Sequence, residues 1–318
     1  MAKLLIQSIL METTAGYWDP LGENIRRDSF NLHSQKLIQK AEEYKKHPYR
    51  LKRNKYLLLL LAAAIIIGYI VLSKFFYREL ITVIIFSLAP LFIYTGIING
   101  FQQNFILFLM CQENYWVYNP QDDSNRFLKL KSAFPDFFDV GHSQRVEDQI
   151  WGFIKNGQKN HFWLSTFIYV TGSGKHRTTH KHNIFMLQLH IPLPLNFKLF
   201  KKNIFSIFGN DLKTESEEFN KLFRIRIDNN QPEAELILLK ILSPSVQVRL
   251  IQLANQFPLD KVGFYGDIMV LDFHDEIWKS RYTDFFKEIK VDERDKSYFN
   301  KLVQTMISIP MEMLQFID

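Results

Sequence analysis

Three histidines, His176, His180 and His182, stand close together in "VTGSGKHRTTHKHN" (170–183), behind a Gly-Ser-Gly and among Lys175, Arg177 and Lys181. Residues of these types serve three chemistries: a phosphate cradle, a metal site, or a charged contact loop. A phosphate loop requires a glycine five positions before its Gly-Lys pair and a Ser or Thr after the lysine. Here Tyr169 stands five positions before Gly174, and His176 follows Lys175. The stretch also leads into an alternating, strand-like run, so no helix N-terminus would receive the phosphate. Three imidazoles could hold zinc with a fourth position open, and in a strand His180 and His182 share a face. Such ligands, however, are oriented by carboxylates. No Asp or Glu occurs between Asp148 and Asp211, and three permanent cations surround the histidines. The expectation is no metal and no cofactor. The stretch instead reads as a hairpin tip, with Gly172 and Gly174 supplying positive φ at little steric cost. From it Lys175, His176, Arg177, His180, Lys181 and His182 project into water, or as a contact loop toward anionic lipid or an acidic partner.

A second polar group, Asp267, Asp272, His274 and Asp275, surrounds "GDIMVLDFHDE". A carboxylate pair for acid–base work could lie there, although strand ends commonly expose such residues. Neither Gly-x-Ser-x-Gly nor His-Glu-x-x-His occurs. Cys111 is the only cysteine, which excludes an intramolecular disulfide and a thiolate cluster. It reads as a packing residue or as a lipid-modification site. No catalytic set is expected.

The elements that must carry these residues fall into three parts: 1–55, 56–101 and 102–318. "YLLLLLAAAIIIGYIVLS" (56–73) and "LITVIIFSLAPLFIYTGIINGF" (80–101) hold no charge, and only Lys74, Arg78 and Glu79 separate them. A bilayer's hydrocarbon layer needs about 20 apolar helical residues, so the two runs predict a transmembrane helical hairpin. Lys40, Lys45, Lys46, Arg50, Lys52, Arg53 and Lys55 crowd its approach against two cations in the turn. The positive-inside rule then keeps both termini cytoplasmic, at a bacterial inner membrane. Residues 29–47 show helical spacing of Leu37, Ile38, Ala41 and Tyr44, ending near Pro48. "LLIQSIL" is too short for a signal peptide and has no cleavage site after it.

The net charge of +6 is unevenly spread. Residues 1–55 hold 11 Lys/Arg against 6 Asp/Glu, whereas 102–318 hold 26 of each. A nucleic-acid-binding domain concentrates basic charge on its own folded face, so no nucleic-acid partner is expected.

Within 102–318, "YWVYNPQDD" reads as a short strand and turn, followed by an irregular or weakly helical part to "VEDQIWGFI". "HFWLSTFIYV" and "NIFMLQLHI" then flank the histidine stretch as hairpin arms. "LFRIRI" alternates Phe223, Ile225 and Ile227 inward against Arg224 and Arg226. "PEAELILLKIL" and "PSVQVRLIQLANQF" open on Pro232 and Pro244, with Ser243 as an N-cap. "VGFYGDIMVLDF" reads as a strand pair around Gly266-Asp267, and the tail from 295 as an amphipathic helix. Segregated strands and helices predict an α+β domain with a mainly antiparallel sheet.

The two-span hairpin, "VEDQIWG", "EEFNKLFRIRI", "PEAELILL…SP" and "GDIMVLDF", in that order, resemble a bacterial family of two-span membrane-anchored proteins known only as a domain of unknown function. The resemblance implies a membrane location and a cytoplasmic C-terminal domain, and it brings no catalytic residues. The expectation is a membrane-anchored binding or assembly module, partnered by the lipid bilayer and by another protein or itself. The alternatives are a membrane-associated enzyme using the Asp267–Asp275 region, or an accessory subunit of a transport or secretion complex.

Overall fold

A computed structural model of the chain describes residues 16–23, 25, 116–156, 158–202, 212–228 and 233–274, with isolated positions elsewhere. The chain divides into two compact units, one formed by Met1–Phe30, Cys111–Ile277 and Asp292–Asp318, the other by Asn31–Met110 and Trp278–Val291. Apart from isolated positions, both apolar runs, the 29–47 segment and the C-terminal tail lie outside the described residues, as do Pro232 and Asp275. In the second unit Leu60, Ala63, Ala64 and Ile67 are helical and exposed.

The first unit runs β1 (Val117–Asn119), α1 (Ser124–Ala133), α2 (Pro135–Phe138), β2 (His142–Asn156), β3 (Gln158–Thr171), a 3-10 turn (Gly174–His176) and β4 (Thr178–Gln188). Then come β5 (Phe197–Lys201), α3 (Glu217–Leu222), β6 (Phe223–Ile227), α4 (Ala234–Ile241), α5 (Pro244–Gln256), β7 (Leu259–Tyr265) and β8 (Ile268–Phe273). The eight strands form one sheet in the order β1-β2-β3-β4-β8-β7-β5-β6, antiparallel at every pairing. The fold is α+β.

The hairpin arms form as their alternation predicts. The region before them, expected to be irregular or weakly helical, holds the helices α1 and α2, but its end differs: from His142 onward, "VEDQIWGFI" included, it is the strand β2. The register of β2 shifts between His142 and Arg145 and again between Glu147 and Ile150. Ser143 and Asp148 take positive φ, 51° and 53°. Each bulge breaks the two-residue period by which a strand is recognised. The second is held in place by the Tyr118 hydroxyl, which donates to the buried Asp148 carboxylate at 2.8 Å.

Side chains alternate across the sheet. One face carries Trp151, Trp163, Phe167, Ile184, Met186 and Val270 and packs under Phe127, Leu130, Phe134, Phe137 and Phe138 of α1, α2 and the residue joining them. Gly263 sits beneath α2, where a Cβ would meet the Phe137 ring at 2.8 Å. The opposite face carries Phe273 against Phe257 at the end of α5, and Phe223 against Phe219 of α3. Pro244 starts α5, and the Ser243 hydroxyl accepts from the Val246 amide. Among the described residues no single helix is long and apolar enough to cross a membrane, and α4 with α5 reach that length only as a pair bent by 68°.

The segment 17–25 is pinned on the first face. Asp19 lies under Arg126 in a buried ion pair and accepts from the Trp151 indole at 2.8 Å. The Arg126 guanidinium also stacks over Trp151 at 5.0 Å and Trp163 at 5.6 Å.

Candidate functional site

At one end of the sheet β2, β3 and β4 run past their neighbours. The last pairing of β8 with β4 joins Phe273 to Asn183, whereas β4 continues with β3 to the pair of Thr178 and Thr171. Five residues at about 3.3 Å each give an overhanging arm of about 16 Å. Its tip is the 3-10 turn, tightened by the His176 amide donating to the Ser173 carbonyl at 3.1 Å. Gly172 and Gly174 have φ of 75° and 55°. A Cβ on Gly172 would stand 2.2 Å from the His176 carbonyl oxygen, so this turn requires glycine.

The arm separates the expected contact residues. Lys175, His176, Arg177 and Lys181 are exposed, and His180 is half-buried. His182 is not part of that surface. It is 4 % exposed, because it faces inward one residue beyond the last rung that β4 shares with β8. The remaining exposed cations are joined by Arg145 and His142 on β2, whose start pairs with the end of β3.

At the root of the arm the two polar groups expected separately from sequence come together. His182 Nδ1 lies 2.7 Å from Asp272 Oδ1, and both side chains are buried. The carboxylate accepts from Nδ1–H, and Nε2 lies 3.2 Å from the Tyr169 hydroxyl. Tyr169 stacks on His180 at 4.9 Å, and His180 Nε2 contacts Thr171 Oγ1 at 2.7 Å. Burial, and then the charges of Asp272 and Asp260, push the Tyr169 phenol above its ordinary value. His274 is exposed and sets its ring edge-on to His182 at 5.2 Å. Asp267 lies in the exposed β7–β8 turn at the other end of the sheet and takes no part. Cys111 is buried, which fits packing and not modification.

Two further residues complete this cluster, and sequence inspection missed both. Asp260 is the extra residue of a β7 bulge between Leu259 and Lys261. Lys261 pairs with Asp272 across the sheet, its Nζ 3.8 Å from Asp272 Oδ2. From there charge continues along the same face. Lys261 donates to the Asp136 carbonyl at 3.3 Å, and Lys198 bridges Asp136 and Asp228 at 2.5 and 2.7 Å. Tyr265 stands over Lys198 with its phenol pushed up by burial and by Asp136.

Beyond this chain, at the outer strands, Phe200, Lys201, Lys202, Arg224 and Arg226 line an open groove of about 330 Å³. Arg224 and Arg226 were legible as the outward side of "LFRIRI". Lys201 and Lys202 were not, because β5 is a charge-rich five-residue strand. The groove's lining thus holds four cations and one aromatic ring.

No protein-family model matches the chain, and no curated protein sequence matches it. Among solved structures, the crystal structure of the mycobacterial trehalose monomycolate transport factor A, TtfA, is similar over 65 % of this chain and 95 % of that one, with 11 % identity and a TM-score of 0.33. A likeness at that level carries no argument about function.

Proposed function

We propose that the chain is a bacterial inner-membrane protein, held by a two-span hairpin with both termini cytoplasmic, whose folded domain binds an acidic protein partner. The observation that carries this reading is the overhanging arm. Lys175, Arg177 and Lys181 project from it, and it contains no carboxylate from Phe167 to His182. The chain joins the sheet at the opposite end. Trp116 packs on Phe162, ten rows before the hairpin tip, and β1 runs from there toward the tip. Two copies meeting arm to arm would bring like charges together, which favours a different chain over self-association. Such a partner could belong to a transport or secretion complex.

The anchor half of the proposal draws support from the seven cations before Tyr56 and from Leu60, Ala63, Ala64 and Ile67, which share one helical face and are exposed. An alkaline phosphatase fused to the C-terminus should be inactive, and an active fusion overturns the topology. For the partner, the full chain is purified in mild detergent beside a Lys175→Glu, Arg177→Glu, Lys181→Glu variant. The account expects a protein that co-purifies with the wild type, dissociates as salt rises, and is absent from the variant. Equal recovery with both defeats it.

The buried pair of His182 and Asp272 favours a second reading, an enzyme in which the carboxylate orients an imidazole base. Turnover by the isolated chain that is lost in His182→Gln would select it.

A further inference from the structure

We propose that His182, Asp272 and Asp260 form a binding site for a divalent transition-metal cation. The three come from neighbouring strands β4, β8 and β7, and their ligand atoms all lie within 4.8 Å of one another. The β7 bulge is what makes this possible. In a regular strand Asp260 would point away from the face that holds Lys261 and Asp272. The extra residue between the Leu259–Phe273 and Lys261–Asp272 pairs lets Asp260 turn to the same side.

The charges also call for a cation. Two carboxylates face a single ammonium, Lys261, which at 3.8 Å from Asp272 is beyond hydrogen-bond distance. Asp260 makes no hydrogen bond or ion pair among the described residues. Asp272 has His182 and Lys261 as partners, but the half-buried Asp260 carboxylate beside it has none among the described residues, and such groups ordinarily require one.

His182 Nδ1 and Asp272 Oδ1 stand 2.7 Å apart. Two ligands each about 2.1 Å from one ion in tetrahedral array are about 3.4 Å apart, so the pair would have to open by roughly 0.7 Å to admit it. With the metal on Nδ1 the ring proton would sit on Nε2, which would then donate to the Tyr169 hydroxyl oxygen, as metal-bound histidines donate to their outer partners. The remaining position would be left to water, because His274, edge-on to His182 at 5.2 Å, is not among the residues whose ligand atoms converge. One imidazole with two carboxylates suits zinc, manganese or ferrous iron better than calcium or magnesium, which prefer oxygen alone.

The test uses the full chain in detergent, treated with EDTA and desalted, then titrated with zinc, manganese or calcium while melting is followed by tryptophan fluorescence. The account expects zinc or manganese to raise Tm by several degrees, saturating at one equivalent, and calcium to do less. Asp260→Asn is the decisive variant. It removes a ligand that supports nothing else, so its metal-free Tm should match the wild type while its affinity falls by at least roughly tenfold. Cobalt should give a tetrahedral visible spectrum in the wild type that Asp260→Asn loses. Absence of any shift overturns the proposal. So does a shift that persists in Asp260→Asn, or one abolished by His176→Ala with His180→Ala and not by Asp260→Asn.

Discussion

Asp272 and His182 are 90 positions apart in the chain and 2.7 Å apart in the fold. That single contact changes what the histidine-rich stretch means. On sequence alone the three histidines are equivalent, and replacing all of them with alanine should barely alter stability. In the fold only His182 is buried. His176→Ala should be neutral within about 0.5 kcal/mol, as surface substitutions usually are. His182→Ala leaves a buried carboxylate without its donor and should cost about 1–3 kcal/mol. Urea unfolding of the two variants separates them, and equal effects would contradict the burial described.

The parts legible in sequence are those whose local pattern and tertiary role agree. β3 and β4 alternate cleanly, and Gly172 marks a turn that no other residue fits. Ser243 and Pro244 announce α5 by capping alone. β2 was missed because its two bulges, at Ser143 and Asp148, destroy the alternation that identifies strands. β5 was missed because Lys198 reads as solvent-facing, whereas it is buried between Asp136 and Asp228. The candidate site failed for a related reason. Absence of nearby carboxylates argued against a histidine site, but sequence neighbours are not sheet neighbours, and β8 and β7 deliver Asp272 and Asp260 from far along the chain.

The buried pair of Arg126 and Asp19 joins the segment 17–25 to α1 and the sheet. Arg126→Met should cost about 3–5 kcal/mol, because Asp19 would stay buried without its counter-charge. Adding Asp19→Asn should recover much of that loss, since the amide still accepts from Trp151. A double-mutant cycle by denaturant unfolding gives the coupling, and strict additivity would count against a shared network.

Gly263 gives α2 its seat. In Gly263→Ala the new methyl would lie 2.7 Å from the Tyr265 ring and 2.8 Å from Phe137. Overpacking of this kind should cost about 1–3 kcal/mol. The same change at Gly174, which has open space around it but φ of 55°, should cost less. Thermal melts of both variants rank them, and the reverse order would mean α2 is free to shift.

The Tyr265 phenol is held above its ordinary value of 10.0, chiefly by burial and then by Asp136 and Asp228. The fold therefore favours the neutral form. This contribution is complete below the unfolded phenol's range and is lost as pH rises above about 10. Tyr265→Phe should flatten the fall in Tm between pH 9 and 11 relative to wild type, with both measured across about that range. Identical slopes would show that the phenol ionises freely.

The central claim is that the arm meets an acidic protein. A photo-crosslinking amino acid placed at Lys175 and, separately, at Asp267 in the turn at the other end of the sheet tests it directly in intact cells. The account predicts discrete protein adducts from position 175, lost when Arg177 and Lys181 are changed to glutamate, and none of the same adducts from position 267. Lipid adducts alone at position 175, or the same protein adducts from both ends, would contradict it.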